Sequence, residues 1–394
     1  MKITFYSNYL NHHQLPIAEE FIKLGIDYTF VATTPIEEER IKLGYEDMNK
    51  KYPFVLRAYE SPQSEQKALE LCVESDVIIL GSAPEIYLQE RLKHNKITFR
   101  YSERCLKQGL WRLLDPRLLL NMYKNNYKFR QYPFYLLAAS AYASWDFKVY
   151  GSFVNKSYKW GYFPQKIDYD INKLINQKRK NQKLSLLWCG RLIDWKHPEK
   201  AIYIAEKLKQ DGFKFEMILI GTGPLKELLE NLIKRKDLKD YVKLVGAIPA
   251  SNVRKYMEDA NIYLFTSDYN EGWGAVLNES MNSACAVVAS HAIGSVPFLI
   301  KHNTNGLIYK NNDINSLYKN VKKLFSNQKY REKISINAYN TISETWNASK
   351  AAKNFLTLVK ILETKQKNNF KNEPCAKAMP IKQNRMYGLI VNDK

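Results

Sequence analysis

Cysteine is scarce in this chain of 394 residues. Its five cysteines, Cys72, Cys105, Cys189, Cys285 and Cys375, contain no CxxC pair. Their odd number and dispersion argue against a disulfide framework or a structural zinc site, and for a reducing compartment. Long apolar runs are missing too. The most apolar stretch, YPFYLLAASAYASW at residues 132–145, is too short and too interrupted to cross a bilayer. The opening Met1-Lys-Ile-Thr-Phe-Tyr reads as a strand, not as a basic region ahead of an apolar one, so no signal peptide is expected. The expected location is the cytoplasm. Acid is in short supply as well: 40 Asp and Glu stand against 60 Lys and Arg, a net charge of +20. No recognised nucleic-acid motif accompanies that excess, so a nucleic-acid partner would rest on charge alone and is not expected.

The excess is concentrated. Residues 91–130 hold eleven Lys and Arg and two acids, Glu103 and Asp115, interleaved with Leu, Trp and Tyr. Two readings stand: contact with an anionic membrane, at the inner face of the cell membrane, through about 91–131, or a solvated helix face. The length suits two domains, and 45% hydrophobic with 25% charged residues suits a globular protein. Short apolar runs (KITFYS, DYTFVA, PFVLRA, DVIILGS, KITFRY) alternate with helical patterns through the first part. From residue 184 the alternation restarts with LSLLWC, FEMILIG, VKLVG, IYLFTS, CAVVAS and GLIY. Strand–helix alternation implies α/β architecture with mainly parallel sheets. The expected organisation is a Rossmann-like domain over 1–163, a Lys-, Asn- and Gln-rich linker over 164–183, a second Rossmann-like domain over 184–345, and a helix with an irregular tail over 346–394 that crosses back to the first domain. Ligands of such sheets bind outside the carboxyl ends of the strands, so a cleft between the domains is the expected site.

Three strand-to-helix loops of the second half carry chemistry. In CGRLIDWKHPE, Gly190 allows a sharp turn. Arg191 and Lys196 then sit five apart, where a guanidinium and an ammonium could clamp one diphosphate or could be two solvated cations. IGTGPLKE, from Ile220, is a tight turn and only a weak nucleotide signal. In SDYNEGWGAVLNES, Glu271 and Glu279 stand eight apart around Gly272, Trp273 and Gly274, with a helix expected from about Ala275. A helix N-terminus suits phosphate, whereas the two carboxylates suit sugar hydroxyls. In the first half, the loop SNYLNHHQLP after the first strand offers His12 and His13, and FRYSERC offers Ser102, Glu103 and Arg104 on the acceptor side. The DYD at 168–170 matches the D-x-D of metal-dependent transferases, but it falls in the linker, so no metal is expected.

The Gly190-Arg191 pair with Lys196, then IGTGP, VGAIP, EGWGAVLNE and GSVPFLI…NGLIY, occur in the order typical of glycosyltransferase family 4, which this chain resembles from about residue 184 to 309. The resemblance implies a GT-B fold, two Rossmann-like domains facing across a cleft, and a retaining, metal-independent transferase with an E-x7-E signature on Glu271 and Glu279. It implies that Gly190, Arg191 and Lys196 meet the donor diphosphate and that Glu279 holds the ribose hydroxyls. Glu271, with the backbone amides of Gly272, Trp273, Gly274, Ala275 and Val276, would hold the transferred sugar, and residues around Gly246, Ala247 and Ile248 would meet the base. Two features depart from the family: Trp273 stands where Phe is usual, and the loop at 7–16 lacks the glycines that many members carry there. His12 is the first-domain residue expected to assist catalysis. The donor would be a UDP- or GDP-sugar, no other cofactor being required. The acceptor would be a glycan or a lipid-linked molecule, as in bacterial surface polysaccharide assembly, the alternative being a soluble small molecule or protein.

Overall fold

A computed structural model describes residues 1–38, 41, 46–180 and 183–392. The chain divides into two compact units, one of residues 1–165 with 347–381 and one of residues 166–346 with 382 onward. Among the described residues, seven strands form the sheet of the first unit: β1 (Lys2–Ser7), β2 (Asp27–Ala32), β3 (Val55–Arg57), β4 (Val77–Leu80), β5 (Thr98–Ser102), β6 (Phe134–Ala138) and β7 (Ser157–Lys159). Their order is β3-β2-β1-β4-β5-β6-β7, and every pairing is parallel. Runs such as Val-Ile-Ile-Leu in β4 are buried along their whole length, which is what a parallel sheet covered on both faces requires.

The second unit repeats the plan with β8 (Leu184–Cys189), β9 (Phe215–Ile220), β10 (Val242–Gly246), β11 (Ile262–Phe265), β12 (Ala286–Ser290) and β13 (Leu307–Tyr309), in the order β10-β9-β8-β11-β12-β13. These pairings too are all parallel. The expected pair of doubly wound α/β units is therefore present. In each sheet the strand order reverses once, between β1 and β4 and between β8 and β11. At such a reversal neighbouring connections leave to opposite faces and open a crevice at the strands' carboxyl ends. In the second unit the loops that leave this point are residues 190–198 and 266–275.

Two segments, the linker and the tail, differ from the sequence expectation. The linker assigned to 164–183 contains a helix, Ile171–Arg179, capped by Asp170, with Leu174, Ile175 and Lys178 buried. The ammonium of Lys178 donates to the carbonyls of Met257 at 2.8 Å and Ala260 at 2.5 Å, so this lysine is part of the second unit's packing and not of a solvated tether. Asn181 and Gln182 of that linker, and the last two residues of the tail, lie outside the described residues. The apolar stretch 132–145 supplies β6 and the start of the helix Ala143–Val149. The tail, expected to be irregular, has no helix or strand over 364–382 and ends in a helix, Gln383–Asn392. Its Ala376 carbonyl accepts from Lys159 N at 2.7 Å, and Lys377 bridges antiparallel to Tyr158 on β7. The preceding helix Ala348–Glu363 sends Phe355 among Phe21, Phe99 and Trp160 of the first unit.

Candidate active site

The loop after β8 is built by glycine. A Cβ on Gly221 would stand 1.8 Å from the carbonyl oxygen of Gly190, and one on Gly223 would stand 2.5 Å from that of Leu192. The IGTGP turn therefore earns its glycines by letting the loop after β9 lie against the loop after β8. Gly221 N also donates to the Gly246 carbonyl at 2.8 Å. Gly246 has φ +82°, Ala247 is exposed and Ile248 half-buried.

The same loop is tied to β11. Thr266 Oγ1 donates to the Lys196 carbonyl at 2.7 Å and accepts from Trp188 Nε1 at 2.8 Å. Lys196 is thereby aimed inward, where its Nζ meets Glu271 Oε2 at 2.6 Å, the two side chains being 13% and 10% exposed. Ser267 Oγ donates to the same carboxylate oxygen at 3.0 Å. Gly274, at φ +79°, makes room for this pair. A Cβ there would lie 2.3 Å from Phe265 Cζ and 3.3 Å from Glu271 Cδ, in a backbone region that L side chains rarely adopt.

Arg191 takes a different position. It is exposed, and among the described residues its guanidinium makes no hydrogen bond or ion pair. The two cations of the expected clamp therefore differ: Lys196 is engaged by Glu271, and Arg191 remains open to an anion.

Glu279 is half-buried on the helix Val276–Asn282. Burial raises its carboxyl above the ordinary range, opposed by Arg254, whose Nη1 donates to the Glu279 carbonyl at 2.9 Å. Tyr263 shows how the pieces converge. Its hydroxyl donates to the Cys189 carbonyl at 3.2 Å, and burial, with Cys189, Glu279 and Glu271 nearby, pushes its ionisation far above the usual tyrosine range. The Cys189 thiol is likewise pushed up to about 12 by burial and by Glu279, with Lys196 opposing. Glu271, Glu279, Lys196 and the end of β8 thus share one neighbourhood. The helix that begins after Ala275 is only seven residues long, so its dipole is a smaller source of positive potential than Arg191 and Lys196.

The ring of Trp273 has no exposed surface. Nε1 donates to Asn278 Oδ1 at 2.9 Å, and the ring packs near Phe298 and Trp346. The indole is a core residue that props the loop, leaving only backbone to meet a ligand. The spacing of Gly272 and Gly274 cannot say on which side of the loop the ring between them falls.

His197 is a residue that sequence reasoning missed. It follows Lys196 with a left-handed backbone, φ 51°. Its Nδ1 lies 2.9 Å from Glu199 Oε1 and its Nε2 3.7 Å from Asp268 Oδ2. The carboxylates of Asp268 and Glu199 push its titration up to about 8. Asp268 is half-buried, which works against its charge, yet His197 and the amides of Asn270 hold it below the usual range. Asp268 N donates to the Trp195 carbonyl at 2.9 Å, and its own carbonyl accepts from Glu271 N at 3.2 Å. The imidazole therefore links the loop that carries Lys196 to the loop that carries Glu271.

In the first unit, a second cluster gathers at the carboxyl ends of β1 and β5. His13 stacks on Tyr162 with ring centroids 5.1 Å apart, and His12 meets His13 edge-on at 4.1 Å. The Tyr162 hydroxyl donates to Glu103 Oε1 at 2.5 Å, Lys107 pairs with the other oxygen, and Ser102 Oγ donates to the Glu103 carbonyl at 2.9 Å. Tyr162, unmarked by any motif, joins His13 to Glu103 across 149 and 59 positions of chain. Arg104 leaves the acceptor set. Its guanidinium is buried in a two-pronged pair with Asp146, both bonds 3.1 Å, and the Asp146 carboxylate also accepts from Leu106 N at 2.9 Å. It is a structural ion pair. The DYD aspartates are also accounted for: Asp168 pairs with Lys166 at 2.6 Å, and Asp170 caps its helix.

Residues 170–341 match the family model described as glycosyl transferases group 1. The chain is 33% identical over 164 residues to the amylovoran biosynthesis glycosyltransferase AmsK of Erwinia amylovora, a match over 40% of this chain and 39% of that protein. It is 31% identical over 147 residues to the N-acetylgalactosamine-N,N'-diacetylbacillosaminyl-diphospho-undecaprenol 4-alpha-N-acetylgalactosaminyltransferase of Campylobacter jejuni, covering 37% of this chain and 39% of that protein. The chain thus spans about two-fifths of the length of these curated relatives. Among solved structures, Anabaena HepE in complex with UDP is similar over 91% of this chain and all of its own, with TM-score 0.68 and 16% identity. Sucrose-phosphate synthase from Thermosynechococcus elongatus is similar over 93% of this chain and 100% of its own, with TM-score 0.63 and 16% identity. The fold is GT-B.

Proposed function

We propose that this chain is a retaining glycosyltransferase that moves a sugar from a nucleotide diphosphate sugar, UDP- or GDP-linked, to a glycan or lipid-linked acceptor in surface polysaccharide assembly. The observation that carries the reading is the pairing of Lys196 with Glu271 at the strand-order reversal of the second sheet, beside an unpaired Arg191. Such a site holds fixed positive charge for a leaving diphosphate and a carboxylate for sugar hydroxyls. The group 1 match over the same residues and the UDP held by HepE support a nucleotide-sugar donor. The names of AmsK and the Campylobacter enzyme support polysaccharide and lipid-linked acceptors.

In this reaction the bond from the anomeric carbon to the diphosphate oxygen breaks through an oxocarbenium-like state. The acceptor oxygen bonds to the same face, and the acceptor proton passes to the departing phosphate oxygen. Arg191 and Lys196 stabilise the charge that develops on the leaving group. Glu271 orients the sugar, and Glu279 accepts hydrogen bonds from the ribose. His12 and Glu103 remain the first unit's candidates for meeting the acceptor, with His13 and Tyr162 ordering them. No metal is assigned a role. A panel of nucleotide sugars, scored by hydrolysis and thermal shift, tests the reading. Arg191→Ala is expected to weaken diphosphate binding about tenfold or more, the worth of a charge-assisted bond, with an unchanged melting temperature, because the side chain holds nothing in place. Wild-type turnover and nucleotide affinity in that variant would sink the diphosphate assignment.

The same enzyme is proposed to work at an anionic membrane. Among the described residues no helix is long and apolar enough to cross a membrane. The basic segment instead presents apolar side chains outward. Trp111 is 60% and Leu114 83% exposed, with Leu119, Leu120 and Tyr123 also exposed. On the helix Pro116–Asn125, started by Asp115 accepting from the amides of Arg117 and Leu118, only Met122 is buried. Exposed apolar side chains interleaved along the chain with Arg112, Arg117, Lys124 and Lys128 suit insertion among anionic headgroups. Leu114→Asp is expected to reduce flotation with phosphatidylglycerol vesicles several-fold. Unchanged flotation would leave that segment a solvated face.

A further inference from the structure

Behind the exposed face of the first unit lies a cavity of about 210 Å³, lined by Asn126, Arg130, Phe134, Gly151, Phe153, Val154 and Lys156. None of these residues belongs to either cluster described above. It is smaller than the roughly 300–1,000 Å³ of sites for drug-sized ligands, too small for a nucleotide sugar and suited to a single headgroup. Its wall has two cations and, among the described residues, no carboxylate.

The polar groups are held ready. Lys156 Nζ donates to the carbonyls of Arg130 at 2.7 Å and Tyr132 at 2.6 Å, which fixes the ammonium and leaves its third hydrogen over. Arg130 is exposed and lies over the Tyr127 ring, 4.2 Å from its centroid. Asn126 is 3% exposed and its Oδ1 has no hydrogen-bond partner, a costly arrangement for a buried acceptor unless a ligand supplies a donor. The cavity is also joined to the outer face. Tyr127 stacks on the exposed Tyr123 at 5.8 Å, and Gly151, at φ +69°, allows the Tyr127 ring to approach, since a Cβ there would lie 2.8 Å from it.

We infer that this cavity is a second binding site, for a phosphate ester that carries a hydroxyl: the phosphate meets Arg130 and Lys156, and the hydroxyl donates to Asn126 Oδ1 against the apolar floor of Phe134 and Phe153. Two sources have this chemistry, a glycerol-type phospholipid headgroup and a soluble phosphate ester. The inference extends the membrane reading but does not depend on it.

The test uses the full chain and phosphatidylcholine vesicles that carry equal fractions of either phosphatidylglycerol or phosphatidylmethanol. These match in charge and differ in headgroup hydroxyls. Wild type is expected to favour phosphatidylglycerol about threefold to tenfold, the worth of one hydrogen bond, and glycerol 3-phosphate is expected to erase the preference. Val154→Trp, which fills the cavity without removing a charge, is expected to erase it too with wild-type melting, and Lys156→Gln to erase it with a lowered melting temperature because two carbonyls lose their donor, both variants still floating on both vesicles. A preference that survives in both folded variants overturns the inference. So does equal binding of the two lipids by wild type with no calorimetric binding of glycerol 3-phosphate. If wild type floats with neither vesicle, the membrane reading falls and calorimetry decides the cavity: saturable glycerol 3-phosphate binding that Val154→Trp abolishes upholds a soluble ligand, and its absence overturns the site.

Discussion

Replacing Lys196 with methionine is expected to lower turnover of the competent donor by about a hundredfold to a thousandfold, as for loss of one group that stabilises developing negative charge. The same change is expected to cost stability. Lys196 and Glu271 are both nearly buried and 2.6 Å apart, so removing the ammonium leaves a carboxylate with Ser267 as its remaining side-chain donor. Breaking a buried pair from one side costs about 3 kcal/mol, visible as a fall of several degrees in the melting temperature. The two effects separate in the pair of Lys196→Met with Glu271→Gln. Removing the stranded charge is expected to restore most of the stability, because the amide can still accept from Ser267. Turnover stays low, because the positive charge for the diphosphate is still missing. If the double variant regained turnover together with its melting temperature, Lys196 would be a structural lysine and the leaving-group role would be wrong.

That double role explains why parts of the site are legible in the residues and parts are not. Strands β1, β2, β4, β8, β9, β11 and β12 announce themselves as apolar runs bounded by polar or glycine residues, because a parallel sheet buries both faces. The loops that follow β8 and β11 can therefore be placed at one edge from the residues alone. What the spacing cannot carry is direction. Trp273 sits between two glycines in the loop of Glu271, yet its ring belongs to the core with Phe298 and Trp346. Arg104 follows Ser102 and Glu103 at the end of β5, yet it turns inward to Asp146.

Direction depends on partners far away in the chain, and those are invisible locally. Asp146 is 42 positions from Arg104, Tyr162 is 59 from Glu103, and Asp268 is 71 from His197. The helix Ile171–Arg179 hides for a different reason. Leu174, Ile175 and Lys178 form its buried stripe, and a lysine in that stripe makes the pattern look solvated until its ammonium is seen capping the carbonyls of Met257 and Ala260.

His197 gives the site a pH dependence of definite sign. Its titration is pushed up to about 8 from an ordinary 6.5 by Asp268 and Glu199, with burial and the neighbouring Lys200 opposing. A group raised in this way stabilises the folded state fully below the unfolded value of 6.5 and loses that contribution as pH rises through 8. The difference is worth about 2 kcal/mol, and it is discounted little for solvent because His197 and Asp268 are each 24% exposed. Deprotonation removes one end of the imidazolium link between the loops of Lys196 and Glu271, so nucleotide affinity should fall over the same interval.

The informative variant is His197→Asn. Asparagine tolerates the left-handed backbone at φ 51° and carries no charge to lose. Below pH 6.5 the variant is expected to be less stable than wild type by about 2 kcal/mol, and above pH 9 the two should converge. Calorimetric titration of UDP or GDP, whichever the panel selects, should show wild type weakening between pH 7 and 9 and the variant flat. Parallel pH profiles for the two proteins would mean that the imidazole carries no charge between these loops, and that the order of the 268–271 turn comes from Asp268 and its backbone bonds to Trp195 and Glu271 alone.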